Sequence, residues 1–307
     1  MMLRRYAIAT IISFGLGLMF ITSGCGQRPL ATAPETSYSS LSGAIKHNVT
    51  YNTVDNVSLQ MDIYFPDNMN GKTPAVLYVH GGGWTSGDKA AGAGSEDVSA
   101  LRAAGFIVAP INYRLAPRFK FPAMIEDVKC AVRFLRAHAL EYGIDTDKIG
   151  AYGGSAGGHL VSLLGVTEQS AGWDIGPDTA YSSRVQAVVD MFGPADLPAL
   201  FSGSQQVVAQ SVFGTSDPKS PILVTASPIS WISRDDPPFL ILQGDHDTVV
   251  PLSQSQELYA RLTAGGVEAT LVVFKNGTHG LAGSPDMQPT AQQLTQMLVE
   301  FFQKHLQ

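Results

Sequence analysis

A serine hydroxyl is a poor nucleophile at neutral pH. It attacks a carbonyl only beside a base that takes its proton and a carboxylate that holds the base in the right tautomer. The chain carries residues of these three types, each in a glycine-bearing turn. Ser155 lies in Gly153-Gly154-Ser155-Ala156-Gly157, Asp247 in Gly244-Asp245-His246-Asp247-Thr248, and His279 in Asn276-Gly277-Thr278-His279-Gly280. The chemistry they could perform together is acyl transfer through a serine-bound intermediate.

The other residues of the same types fit less well. Asp245 suits a turn former after Gly244, and Asp236 precedes an apolar run, so motif position favours Asp247 as the acid. Of seven histidines, His80 is the rival to His279, but it sits in a glycine loop where hydrogen bonding to backbone is its expected task. His159, four residues after the serine, reads as a satisfied structural histidine. His246 has no assigned role, and His47, His138 and His305 read as solvent-facing.

Acyl transfer also needs donors for the oxyanion that develops on the attacked carbonyl, and removing one typically raises the barrier by about 3 kcal/mol. His80-Gly81-Gly82-Gly83-Trp84 follows the apolar run Val76-Leu77-Tyr78-Val79 and supplies bare backbone amides. The amides of Gly82, Gly83 and Ala156 are the expected donors, with that of Trp84 as an alternative in the loop. The Trp84 ring is expected in the substrate pocket.

These turns need strand ends to hold them. Ala75–Val79, Ile107–Ile111, Ile149–Tyr152, Val185–Met191, Phe239–Leu242 and Ala269–Phe274 read as buried strands. Ile45–Thr53 and Ser58–Tyr64 read as an N-terminal hairpin. Helices are expected over 97–104, 123–141, 156–165, 254–264 and 289–305, giving an α/β chain with a mostly parallel sheet covered on both faces. Ser155 then sits at a strand-to-helix turn, and Asp247 and His279 on loops at the same sheet edge. The segment 194–233 is an insert that reads as a small cap or wall over the site, or as ordinary helix and loop.

The chain has 307 residues, 45% of them apolar, enough to bury a large core in one catalytic domain over 45–307. Its net charge of −6, with no basic cluster beyond the extreme N-terminus, argues against nucleic acid as a partner. Met1-Met2-Leu3-Arg4-Arg5 leads into an apolar run from Tyr6 to Ile21 and then Thr22-Ser23-Gly24-Cys25, the pattern of a secretory signal. Small residues before Cys25 resemble a bacterial lipobox, in which the cysteine is lipidated and becomes the mature N-terminus, although Thr22 stands where Leu is usual. The expectation is an exported protein held on the outer side of a bacterial membrane through Cys25. The alternatives are a periplasmic or secreted product cut near Cys25, or an uncleaved anchor helix. Residues 26–44, rich in Pro, Ser, Thr and Ala, are expected to form a flexible tether. Cys130 reads as a small buried hydrophobe rather than half of a disulfide.

His80 to Trp84, Asn112-Tyr113-Arg114-Leu115-Ala116-Pro117, Phe121-Pro122-Ala123, Gly153 to Leu160 and Gly244 to Pro251 together resemble the hormone-sensitive-lipase-like α/β-hydrolases. Within them the resemblance is closest to the bacterial feruloyl and acetylxylan esterase (BD-FAE-like) branch, from about Asn48 to the C-terminus. The chain order Ser, Asp, His is also that of the α/β-hydrolases. The resemblance implies an α/β-hydrolase fold with a sheet of eight strands, a small-molecule or oligosaccharide carboxylic ester as substrate, no metal or organic cofactor, and structural roles for Asp127 and Arg133. Gly154 departs from the family, where a Glu or other polar residue commonly precedes the nucleophile. Two other functions stay open: an amidase, formamidase or peptidase using the same triad, and a non-catalytic surface binding protein on a hydrolase scaffold.

Overall fold

Ile45–Val54 (β1) turns through Asp55 and Asn56, both at positive φ, into Val57–Tyr64 (β2). Two left-handed residues are what a two-residue hairpin loop requires, so Val54 pairs directly with Val57. Thr73–Val79 (β3), Glu96–Ala103 (α1), Ile107–Ile111 (β4), Ala123–Ala137 (α2), Ala139–Tyr142 (α3) and Ile144–Gly154 (β5) follow. Next come Ala156–Val166 (α4), Ala187–Met191 (β6), Leu197–Phe201 (α5), Gln206–Phe213 (α6) and Pro221–Thr225 (α7). Phe239–Gly244 (β7), Leu252–Ala264 (α8), Ala269–Phe274 (β8) and Ala291–Leu306 (α9) complete the chain. This computed structural model describes residues 38–307 apart from 93, 94, 204 and 281–285.

The strands form one sheet in the order β1-β2-β4-β3-β5-β6-β7-β8. Pairing is antiparallel between β1 and β2 and between β2 and β4, and parallel from β4 onward. Crossover helices cover both faces, which is why the inner strands are almost continuously apolar. On β3, Ala75, Leu77 and Val79 face a core shared with α2, α4 and α8, while Val76 and Tyr78 face one shared with α1 and α9. This is the α/β-hydrolase architecture, with an insertion between β6 and β7.

Three expectations change. The helix expected over 123–141 is interrupted at His138, whose ring Nδ1 bonds the Phe134 carbonyl at 3.0 Å and whose backbone leaves the helical range. The tether expected through residue 44 ends earlier. Tyr38 is buried, Ser39–Leu41 forms a short 3-10 turn, and the amide of Gly43 bonds the Pro66 carbonyl at 2.8 Å. The Tyr38 ring fits because position 143 has no side chain, a Cβ there falling 2.7 Å from it. The signal segment, Cys25 and the rest of the tether lie outside the described residues. The insert, finally, is helical, and it buries Phe201, Val212, Phe213 and Leu223 in the core on the α2 and α4 face.

Asp127 and Arg133 on α2 make the structural contacts the resemblance implies. Asp127 accepts from the backbone and guanidinium of Arg114, tying the segment after β4 to α2. Arg133 and Lys129 both reach the Asp174 carboxylate, at 2.8 and 3.1 Å.

At the end of β5 the chain turns sharply into α4. A Cβ on Gly157 would lie 2.0 Å from the Val79 carbonyl oxygen, so only glycine lets α4 start this close to β3. Ser155 takes φ 57° and ψ −120°, which costs a non-glycine residue about 1–3 kcal/mol. Its own hydrogen bonds hold it there: its amide bonds the Met191 carbonyl at 2.9 Å, and its carbonyl accepts the His159 amide at 3.0 Å.

Beneath this turn Asp190 on β6 is completely buried, accepting from Ser162 Oγ at 2.7 Å and from the Gly193 amide at 2.8 Å. Burial outweighs these bonds and pushes its carboxyl up to about 6. The folded state therefore holds a proton there that the unfolded chain releases at an ordinary carboxylate pKa. Stability from this group is full at acid pH and is lost as pH rises through about 6. Asp190→Asn, whose amide oxygen still accepts from Gly193, should escape that loss. In urea titrations its stability relative to wild type should improve by about 2 kcal/mol between pH 4 and pH 7. Parallel curves for the two proteins would show that Asp190 titrates normally.

Candidate active site

The sheet delivers the three sequence-predicted groups to one edge. Ser155 follows β5, Asp247 follows β7, and His279 follows β8. Ser155 Oγ lies 2.9 Å from His279 Nε2, and His279 Nδ1 lies 2.7 Å from Asp247 Oδ2. A carboxylate only accepts, so Nδ1 carries the ring proton and Nε2 is left to accept from the serine.

Asp247 is set in a frame of donors. Oδ1 accepts the amides of Val249 and Val250 at 2.8 and 2.9 Å, and Oδ2 accepts Gln243 Nε2 at 3.1 Å besides His279. Burial pulls its pKa upward, but the bonds from His279 and the two amides prevail, and the carboxyl stays below its ordinary value. Gln243 is fixed in turn by Ser255, whose hydroxyl donates to Oε1 at 2.8 Å. The sequence reading missed Gln243. Its signal was a lone polar residue inside the apolar run Phe239 to Leu242 and Gly244.

The competing residues are engaged elsewhere. Asp245 pairs with exposed His246 at 2.6 Å, and Asp236 caps its own turn through Ser233. His80 is buried, and burial holds it below the usual histidine range in spite of its bond to Gly81. It donates from Nδ1 to the Gly81 carbonyl at 2.7 Å and stacks on Tyr113, whose hydroxyl bonds the His80 carbonyl at 2.9 Å. His159 is pushed down to about 4 by complete burial. Its Nε2 donates to the Ala226 carbonyl at 2.7 Å, leaving Nδ1 to accept from Trp84 Nε1 at 3.1 Å.

The orientation of the oxyanion amides follows from the carbonyls they are joined to. A trans peptide points its C=O and N–H in opposite directions. The Gly81 carbonyl faces the His80 ring, so the Gly82 amide points the other way. The Gly82 carbonyl accepts the amides of Thr85 and Ser86, each at 3.1 Å, which turns the Gly83 amide outward. The Ser155 carbonyl runs into α4, so the Ala156 amide points back out of the helix start. Among the described residues none of these three amides has an acceptor. Gly82 holds φ 110°, and a Cβ there would fall 2.2 Å from the Ser86 carbonyl oxygen, so no other residue fits the loop.

Ser155 and His279 open on a cavity of about 590 Å3 that Gly81, Gly82 and Gly83 also line. Its remaining walls are Tyr78, Ser95, Asp97, Gly154, Met191, Phe192 and Val249. Trp84, expected in this pocket, lies elsewhere. Its indole is buried edge-on against His159 and Phe213, on the opposite side of the loop, because its N–H is held by His159. The insert does not roof the cavity either, since no described residue of 194–233 lines it. Phe192 was missed, and its ring packs against the unusual Gly154. A Cβ at 154 would fall 3.0 Å from the Phe192 ring, which lies edge-on to His279 at 5.1 Å.

Comparison with known proteins agrees with this geometry. The chain is 33% identical over 246 residues to the probable carboxylic ester hydrolase LipM of Mycobacterium tuberculosis, covering 77% of this chain and 57% of that protein. It is 32% identical over 219 residues to the esterase LipC of the same organism, covering 68% of this chain and 53% of that protein. The chain thus spans about half the length of these curated relatives. Among solved structures, a truncated carbohydrate esterase from gut microbiota superposes with a TM-score of 0.76 at 29% identity, covering 88% of this chain and 98% of that one. Esterase Est2 of Thermogutta terrifontis gives 0.70 at 27% identity, covering 85% and 91%. The BD-FAE family model matches residues 61–262, and with the eight-stranded sheet and the strand-to-helix turn at Ser155 this shows that the chain belongs to the BD-FAE family of α/β-hydrolases.

Proposed function

We propose that this protein is a serine carboxylesterase that hydrolyses small or carbohydrate-linked esters, of acetyl or feruloyl type, through an acyl-enzyme. One observation carries the reading: an unbroken hydrogen-bonded line from Ser155 Oγ through His279 to Asp247, beside three amides without acceptors. The relatives support it, being described as esterases and, in one solved structure, as a carbohydrate esterase.

In the first step His279 Nε2 takes the hydroxyl proton as Ser155 Oγ bonds to the ester carbonyl carbon. Negative charge moves to the carbonyl oxygen, where the amides of Gly82, Gly83 and Ala156 meet it. The imidazolium, stabilised by ionised Asp247, returns the proton to the alcohol oxygen as the C–O bond breaks. Water then loses a proton to Nε2 and attacks the acyl carbon. Collapse releases the acid and restores the serine hydroxyl. Asp247 remains charged throughout, as its four donors favour.

The place of action belongs to the same proposal. Export ahead of Cys25, with lipidation of that cysteine, suits an enzyme whose esters lie outside the cell, and its support is the N-terminal sequence alone.

Wild-type protein should hydrolyse p-nitrophenyl acetate, and Ser155→Ala should lose at least about a thousandfold in kcat. Equal rates for the two would remove Ser155 from the chemistry. Faster turnover of p-nitroacetanilide than of p-nitrophenyl acetate would move the reaction to amides. Gln243→Leu, which takes one donor from Asp247 outside the cavity, should lower kcat about tenfold and leave KM unchanged. A rise in KM alone would mean that Gln243 shapes the pocket rather than the acid.

A further inference from the structure

Among the described residues that line the cavity, the non-glycine ones at positive φ are Ser155 and Phe192, at 57° and 47°. The turn into α4 accounts for the first. No step of ester hydrolysis uses the second. Glycine takes φ 47° freely, whereas a bulky aromatic residue there is a strained outlier. Three backbone bonds nonetheless fix this stretch. The Phe192 amide donates to the Leu242 carbonyl at 2.7 Å, the Gly193 amide to Asp190 Oδ1 at 2.8 Å, and the Met191 carbonyl accepts the Ser155 amide at 2.9 Å. The conformation they hold sets the ring against bare Gly154 and 5.1 Å from the His279 ring, in the wall of the cavity.

The return of the proton decides what that wall faces. In the sheet, β3 and the glycine loop after it lie on one side of β5, and β6, β7 and β8 lie on the other. With the carbonyl oxygen turned to the amides of Gly82 and Gly83, the alcohol oxygen must come within reach of His279 Nε2 to be protonated. The alcohol portion therefore leaves on the side of β6, β7 and β8. Its walls there are Met191, Phe192 and Val249, a thioether, a ring and a branched alkyl group, and none of these side chains carries a hydrogen-bond donor.

We propose that Phe192 is a specificity-determining residue: its ring packs on the departing alcohol, and the preferred ester is one whose alcohol portion is flat and aromatic, of benzyl type. Edge-to-face or offset contact between two aromatic rings adds to what burial of an equal aliphatic surface gives, and the Met191 sulfur favours the same kind of partner. This proposal rests on the esterase reading of Ser155 and narrows its small esters by their alcohol.

The test compares benzyl acetate with cyclohexylmethyl acetate, which share the acyl group and the carbon skeleton and differ in the flatness of the ring. Wild type should favour benzyl acetate about fivefold in kcat/KM. Phe192→Leu, which keeps an apolar wall without the ring, should bring the two esters within about twofold of each other, and Phe192→Tyr should retain the preference. Phe192→Gly, at ease with φ 47°, should also erase the preference, and it carries the test if the leucine variant does not fold. Equal losses on both esters in these variants, with the preference kept, would make Phe192 a support for His279 alone and overturn the proposal. So would a wild-type enzyme with no preference, or one that turns over p-nitrophenyl acetate and neither of the two. No turnover of p-nitrophenyl acetate, with no labelling of Ser155 by a fluorophosphonate, would be the failure of the esterase reading itself, and the proposal would fall with it.

Discussion

Everything at this sheet edge rests on a contact between two stretches of bare backbone. The turn from β5 into α4 lies against the end of β3 so closely that a Cβ at Gly153 or Gly157 would fall 2.6 or 2.0 Å from the Val79 carbonyl oxygen. That contact presses the strained Ser155 up at the strand end and brings the Ala156 amide beside the loop that begins at His80. Real Cβ atoms do not come this near to a carbonyl, so any side chain here would drive α4 from β3 and separate Ser155 from the amides of the glycine loop. The close approach is set by exclusion, and the hydrogen bonds of Ser155 to Met191 and His159 then hold the turn in place.

Around that contact the polar parts are pinned by side chains, most of them on other elements. Asp127 on α2 holds Arg114, the adjacent Tyr113 holds the His80 carbonyl, and His80 holds the Gly81 carbonyl, so a chain of bonds runs from a helix to the oxyanion loop. A second chain runs from Ala226 in the insert through His159 on α4 to Trp84 at the far end of the same loop. Gln243 and Ser255 do the same for Asp247. A net hydrogen bond adds only about 1 kcal/mol, but leaving one of these buried groups unpaired costs about 1–3 kcal/mol. The loop is thus kept in one conformation mainly by the penalty for leaving it. The insert takes part as a brace on Trp84 and His159.

How much of this could be read from the chain depends on what each feature requires. The serine, acid and base were legible because they need particular residue types on loops after buried strands, and strand ends show as apolar runs broken by glycine or aspartate. The parallel sheet was legible for the same reason. Trp84 was misplaced because its position next to the glycine loop does not say which side of that loop the ring will take, and that choice is made by His159, 75 residues away. Gln243 showed locally only as a polar residue in an apolar run, and its partner Ser255 comes from α8, while Phe192 acts through Gly154 and His279, brought in by the turn after β5 and by β8, distances no local pattern encodes. The break at His138 was hidden because apolar spacing continues smoothly across it. Tyr38 was lost in a stretch whose composition reads as tether, since its burial depends on the missing side chain at Gly143.

The two faces of the sheet divide the labour in a way that composition alone could not show. The insert and Trp84 fill the α2 and α4 face, whereas the cavity opens toward α1, with its walls drawn from Tyr78, Ser95, Asp97 and Phe192. The attacking groups hang from strand ends, whose positions are tied to the register of the whole sheet and tolerate little change. The start of α1 is tied to the sheet more loosely, through Asp97 and Thr295 and the apolar packing of α1 against α9. Residues at the start of α1 line the cavity, whereas the Ser155–His279 distance is set by β5 and β8. On this fold the three aligned side chains are carried by strand ends, and part of the cavity wall by one helix beside the sheet.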